Sequence, residues 1–208
     1  MTTLLRLDSS PRVSGSHSRG IADLIQQHIV TLDGTTKVVK RDLATLAIPH
    51  ISNETITGFY TPSDELNPDL KAATALSDEL IAELNSADYL LISAPIYNFG
   101  VPSSLKAWID QIVRINETFA FSDDGFSGLV TAKRAVLALA YGAQGYSTSA
   151  DMAAMNFLEP YLVSLLRFLG IQEIDVFSIE GTSVLSADEI EDQKAQQVAR
   201  MGNVLGAF

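Results

Sequence analysis

Apolar runs of strand length recur along the chain at Thr3–Leu7, Lys37–Arg41, Tyr89–Ser93, Ala135–Ala140 and Ile174–Ile179. Between them the apolar spacing lengthens to the three-to-four-residue period of amphipathic helices. Ile21, Leu24, Ile25 and Ile29 share one face, as do Leu76, Leu80, Ile81 and Leu84. Leu105, Trp108, Ile109 and Ile112 form a third, while Ile190, Val198 and Met201 form a weaker one behind the capping box Ser186–Glu189. In "LEPYLVSLLRFLG", Pro160 suits a first helical turn and Gly170 a C-terminal cap. The apolar residues between them occupy more than one face, which predicts a helix buried on several sides. Five strands alternating with five helices predict an α/β fold: a doubly wound, five-stranded parallel sheet with helices on both faces. Right-handed crossovers favour the strand order 2-1-3-4-5.

Two segments exceed ordinary connections. Ala44–Pro68 holds Pro49, Gly58, Pro62 and Pro68 without a clear period, which fits a lid or binding loop, with plain surface decoration as the alternative. Thr118–Thr131 resembles a hairpin excursion with its turn at "DDG". The 208 residues show no repeat, low-complexity tract or linker, so residues 1–208 are expected to form one domain.

Composition narrows the function classes. A chain that is 47% hydrophobic and 19% charged is globular. A net charge of −11 without clustered Lys and Arg argues against nucleic acid as a partner. The absence of cysteine excludes thiolate catalysis, disulfides and cysteine metal sites. His17, His28 and His50 are too scattered to hold a metal. The first apolar run is too short for a secretory signal, and no stretch has the length of a membrane span. A cytoplasmic protein with no membrane partner is expected.

Candidate chemistry lies at the carboxyl ends of the strands, where open α/β sheets bind ligands. After the first strand, "SSPRVSGSHS" (residues 9–18) places five serine hydroxyls and Gly15 ahead of a helix N-terminus. Unpaired N–H groups, a positive dipole end and neutral donors suit a phosphate monoester. Neither G-x-G-x-x-G nor G-x-x-x-x-G-K-[ST] is present, so the loop fits a mononucleotide phosphate such as that of FMN better than a dinucleotide or a nucleoside triphosphate. After the third strand, "SAPIYNFGVP" is stiffened by Pro95 and Pro102 and carries Tyr97, Asn98 and Phe99, groups able to hold a flat ring. "AYGAQGYS" follows the fourth strand at the same height. No G-x-S-x-G elbow is present, so a bound cofactor is expected to carry the chemistry.

The motifs "SSPR…SGSHS", "APIYNFGVPSSLKAWID", "TFAF", "GLVTAKRA" and "FLGI", in that order, resemble the FMN-dependent NADH-azoreductases, members of the flavodoxin-like quinone reductases. The resemblance covers nearly the whole chain and implies a flavodoxin-like homodimer. It implies an oxidoreductase using FMN, with NADH or NADPH as electron donor, that reduces quinones and aromatic azo compounds by ping-pong hydride transfer. It places Ser10, Ser16, His17 and Ser18 at the FMN phosphate, and Pro95, Ile96, Tyr97, Asn98 and Phe99 at the ring. Ala140, Tyr141, Gly142 and Ala143 would complete the cofactor site, with Phe121 and Phe168 towards substrate. Many relatives carry an Arg followed by two glycines where this chain has Tyr141, Gly142 and Ala143, and Tyr141 supplies no positive charge. A flavodoxin-type electron carrier and an NAD(P)H:flavin reductase that releases its FMN are the alternatives.

Overall fold

The computed structural model describes residues 2–206. In chain order the elements are β1 (Thr3–Asp8), α1 (His17–Leu32), β2 (Lys37–Asp42), α2 (Asn53–Tyr60), α3 (Pro68–Asn85), β3 (Tyr89–Pro95) and α4 (Ser103–Ile112). They continue with β4 (Phe119–Ser122), β5 (Gly125–Gly128), β6 (Arg134–Ala140), α5 (Ala150–Ala153), α6 (Glu159–Phe168), β7 (Glu173–Ile179) and α7 (Ala187–Val204).

The five long strands form one parallel sheet in the order β2-β1-β3-β6-β7, which is the expected 2-1-3-4-5 once the β4–β5 excursion is set aside. Strands covered on both faces read as continuous apolar runs. Alternate side chains serve opposite layers: Leu4 packs beneath α1 and α7, whereas Leu5 and Leu7 pack beneath α3, α4 and α6. The helical faces read from the sequence are the buried ones in α3 and α4. In α7, Ile190 and Met201 are buried but Val198 is 46% exposed, so that face is narrower than its spacing implied. Leu162 and Leu166 of α6 are buried, while Tyr161, Val163, Leu165 and Phe168 are only partly covered.

Segment 44–68 is not a structureless lid. It contains α2, started by a reciprocal cap between Ser52 and Thr55. A Cβ at Gly58 would meet Thr74 Cγ2 at 2.5 Å, so the missing side chain is what lets α2 lie close to α3. The hairpin expected over Thr118–Thr131 is present as β4 and β5, which pair antiparallel through Phe121 and Phe126.

Register brings the strand ends level. Asp8 pairs with both Asp42 and Ser93, Pro95 pairs with Ala140, and Ala140 pairs with Ile179. The loops after β1, β3, β6 and β7 therefore leave one edge of the sheet side by side.

Candidate cofactor site

At that edge lies a cavity of about 420 Å³. Its walls are Ser10, Arg12, Gly15, Ser16, His17 and Ser18 from the β1–α1 loop, and Pro95, Ile96 and Tyr97 from the end of β3. Ala140 and Gly142 follow from the end of β6, and Thr182 and Ser183 from beyond β7. The cradle side is built around the start of α1. Ser16 is the N-cap, its Oγ accepting the Arg19 N–H at 3.4 Å and lying 3.3 Å from Ser18 Oγ. Ser10 and Ser18 are buried in this wall, and Gly15 turns the chain with φ of +68°. His17 is the first residue of α1. Partial burial, followed by the charges of Lys194 and Arg12, lowers its pKa and favours the neutral imidazole.

The opposite side is made of backbone and small side chains. Tyr97 and Gly100 exchange two backbone hydrogen bonds, of 3.1 and 3.0 Å, closing a tight turn across Asn98 and Phe99. Both turn residues have positive φ, 47° for Asn98 and 69° for Phe99, a conformation unusual for a bulky side chain. Such strain persists where the surroundings enforce it and concentrates at functional sites. Here the Phe157 N–H donates to Phe99 O at 2.9 Å, and Ile96 N–H donates to Ala140 O at 2.9 Å. A second, more open cavity of about 690 Å³ begins on the far side of Tyr97, where Asn98, Lys106, Phe157 and Tyr161 line it.

The β6 and β7 loops are zipped together. Gly181 N–H donates to Ala143 O, Thr182 N–H to Tyr141 O and Ser183 N–H to Gly142 O, at 2.9, 3.0 and 3.0 Å. The Glu180 carboxylate accepts the N–H groups of Gly145, Tyr146 and Ser147 at 2.6, 3.0 and 2.8 Å, which fixes the bend of the longer loop.

The sequence-predicted residues divide by location. The cavity gathers Ser10, Ser16, His17, Ser18, Pro95, Ile96, Tyr97, Ala140 and Gly142. Asn98 faces the adjoining cavity, and Phe99 and Ala143 are exposed beside the site. Tyr141 points the other way. Strand alternation sends Ala140 and Gly142 to the cavity and Tyr141 into the core, 1% exposed. Its ring stacks on Tyr146 at 4.8 Å and its hydroxyl meets Glu159 Oε2 at 3.3 Å and Asn156 Nδ2 at 3.4 Å. Burial raises the Tyr141 pKa, so the phenol stays protonated. Phe121 and Phe168 are not cavity residues in this chain; they join Phe119 and Phe126 in an aromatic cluster on the hairpin and α6. Sequence reasoning placed Gly15 in the phosphate loop but did not assign Arg12, Thr182 and Ser183 as wall residues. The last two had a signal, small polar residues beside Gly181 at a strand's carboxyl end, the same rule that located the other loops.

The model of one protein family, described as the Flavodoxin-like fold, matches residues 2–205. The chain belongs to that family. An FMN-dependent NADH:quinone oxidoreductase of Xanthobacter autotrophicus is 49% identical over 176 residues, covering 85% of each chain. A protein of the same name from Hydrogenovibrio crunogenus is 38% identical over 200 residues, 96% of each chain. Among solved structures, an FMN-dependent NADH-azoreductase from Bacillus anthracis in complex with FMN superposes with a TM-score of 0.88 at 23% identity, over 100% of both chains. That likeness establishes the shared fold.

Proposed function

We propose that this protein is an FMN-dependent NADH oxidoreductase acting on quinones and aromatic azo compounds. The observation that carries the reading is the cavity shared by the hydroxyl-rich start of α1 and the level ends of β3, β6 and β7. Its size lies within the range of small-molecule sites. Relatives named FMN-dependent NADH:quinone oxidoreductase, 49% and 38% identical over most of the chain, support the same chemistry.

The residues present fit FMN. Ser10, Ser16 and Ser18 and the N–H groups opening α1 suit a terminal phosphate. The Pro95–Tyr97 backbone and the small residues Ala140 and Gly142 leave a flat slot, in which a Cβ on Gly142 would come within 3.0 Å of Ser183 Oγ. FMN, when bound, supplies reversible uptake of a hydride equivalent from NADH and its delivery to a quinone or azo bond. The chain's task is placement, because orientation in a near-attack geometry carries much of the rate. Tyr97 lines both cavities, which supports a reading in which donor and acceptor use the same face in succession. His17 lies at the start of α1 on the phosphate side of the cavity, which leaves water and the Tyr97 hydroxyl as the proton sources beside the ring side.

The exposed aromatics of the hairpin support a homodimer in which Phe121 and Phe168 approach the partner's slot. Among the described residues no helix is long and apolar enough to cross a membrane. A visible spectrum of the purified protein tests the reading. Flavin bands that bleach with NADH under argon and return with benzoquinone are expected. A colourless protein that takes up no added FMN would refute it, and bleaching without turnover above free FMN would favour an electron carrier.

A further inference from the structure

The loop that supplies the cavity's hydroxyls is tied to the sheet at its start. Ser9 N–H donates to Ser93 O at 3.0 Å, Ser9 Oγ donates to the same oxygen at 2.7 Å, and Ser104 Oγ donates to Ser9 O at 3.2 Å. From Pro11 to Gly15 the chain is exposed, until Ser16 caps α1. One residue grips both sides of that exposed span. The backbone N–H of Arg19 donates to Ser16 Oγ at 3.4 Å, while its guanidinium donates to Ser10 O from Nη2 at 2.7 Å and from Nε at 3.3 Å. The same guanidinium makes a two-pronged pair with Asp42, Nη1 to Oδ2 at 2.7 Å and Nη2 to Oδ1 at 2.8 Å. Asp42 closes edge strand β2, and its Oδ1 also accepts the Ala44 N–H at 3.1 Å.

The buried charges around this strap balance one another. Buried Asp8 lies 3.1 Å from Arg6, 3.5 Å from Arg19 and 3.0 Å from Lys40, and Arg6 reaches Asp23 at 2.7 Å. Arg6, Arg19 and Lys40 are thus balanced by Asp8, Asp23 and Asp42. Apart from Arg12 in the exposed part of the loop, attraction for a phosphate comes from hydroxyls and N–H groups, whose effect depends on their being aimed at one point. The hydrogen bond from Arg19 is the leading cause holding the Asp42 carboxyl below its ordinary pKa, so the strap is ionised at neutral pH.

We infer that Arg19, anchored by Asp42, is the positioning residue of the phosphate-binding loop: it fixes Ser10 relative to Ser16 and so sets the aim of the cradle. Arg19 is not among the residues lining the cavity, and it acts through the loop rather than on the phosphate. The inference rests on the FMN reading above. It is specific to the phosphate, because riboflavin shares the ring and lacks the group that the cradle holds.

The test titrates FMN and riboflavin into the wild type, Arg19→Met, Arg19→Lys and Asp42→Asn, with thermal unfolding recorded for each. Arg19→Met and Asp42→Asn are expected to weaken FMN binding about tenfold or more, with riboflavin affinity unchanged. Arg19→Lys should also lose FMN affinity, since a point charge cannot hold Ser10 O and both Asp42 oxygens together. Parallel loss of both flavins, or FMN affinity unchanged in the variants, would overturn the inference. If Arg19→Met lacks a cooperative transition, the near-isosteric Asp42→Asn decides. A wild type that binds neither flavin refutes the cofactor reading itself, whereas one that binds FMN no better than the variants refutes only the role of Arg19.

Discussion

Ser16 and Ser18 stand 3.3 Å apart at the start of α1, and only one of them caps the helix. If both hydroxyls hold the FMN phosphate, each change to Ala removes a hydrogen bond to a charged group, worth roughly 1.5–3 kcal/mol or about tenfold to hundredfold in affinity. Ser16→Ala should also lower the thermal midpoint, because losing an N-cap costs about 1 kcal/mol, while Ser18→Ala should leave it nearly unchanged. Flavin titration beside a melting curve separates the two effects; unchanged affinity in both variants would remove the cradle. Tyr141 shows where single residues escape a sequence reading. Its place in the fourth-strand loop was legible, but which way it points depends on the parity of β6, and the structure turns it onto Tyr146 and away from the slot. Tyr141→Phe is therefore expected to cut quinone turnover by less than about tenfold, below the roughly 10²–10⁴-fold that general acid catalysis supplies. A hundredfold loss with an intact flavin spectrum would make it a proton donor after all.

Elements were legible wherever a period was sustained. The β strands, α3 and α4 announced themselves because one face or both must be apolar to be buried. The helix α2 did not, since "NETITGFY" has Thr, Asn and Gly at positions that carry no apolar period. It exists through its cap and through contact with α3, and contact between distant segments leaves no local trace. The hairpin was readable from its "DDG" turn, but not how tightly it seats. At Gly128 an added Cβ would lie 2.1 Å from Gly170 N and Leu169 C, where β5 crosses the end of α6, and Val130 N–H donates to Leu169 O at 3.0 Å. No flexible side chain is there to give way. Gly128→Ala should destabilise the fold by about 1–3 kcal/mol, a fall of roughly 2–12 °C in thermal midpoint. A midpoint equal to wild type would mean that the hairpin can lift from α6 at no cost.

At the scale of the molecule, the alternation of strands and helices with right-handed crossovers left few topologies, which is why the strand order could be read. The position of the hairpin aromatics could not be read the same way, because a single chain leaves them without a place in its core. Phe121 is 63% and Phe126 65% exposed, and the partly covered α6 residues Tyr161, Leu165 and Phe168 continue the apolar surface. Isolated exposed apolar residues are ordinary, whereas a contiguous patch of rings marks a surface that is covered by something. The homodimer proposed above would cover the patch and would also give Phe121 a role at a slot it does not reach in its own chain. Wild-type protein should accordingly sediment at twice the monomer mass at micromolar concentration. Phe126→Asp, which sets a charge in the middle of the patch while leaving every residue of the cavity in place, should shift it towards monomer and lower quinone turnover. A wild type that sediments as a monomer while turning over quinone would show that one chain completes the site, and Phe121 would then lose its assignment.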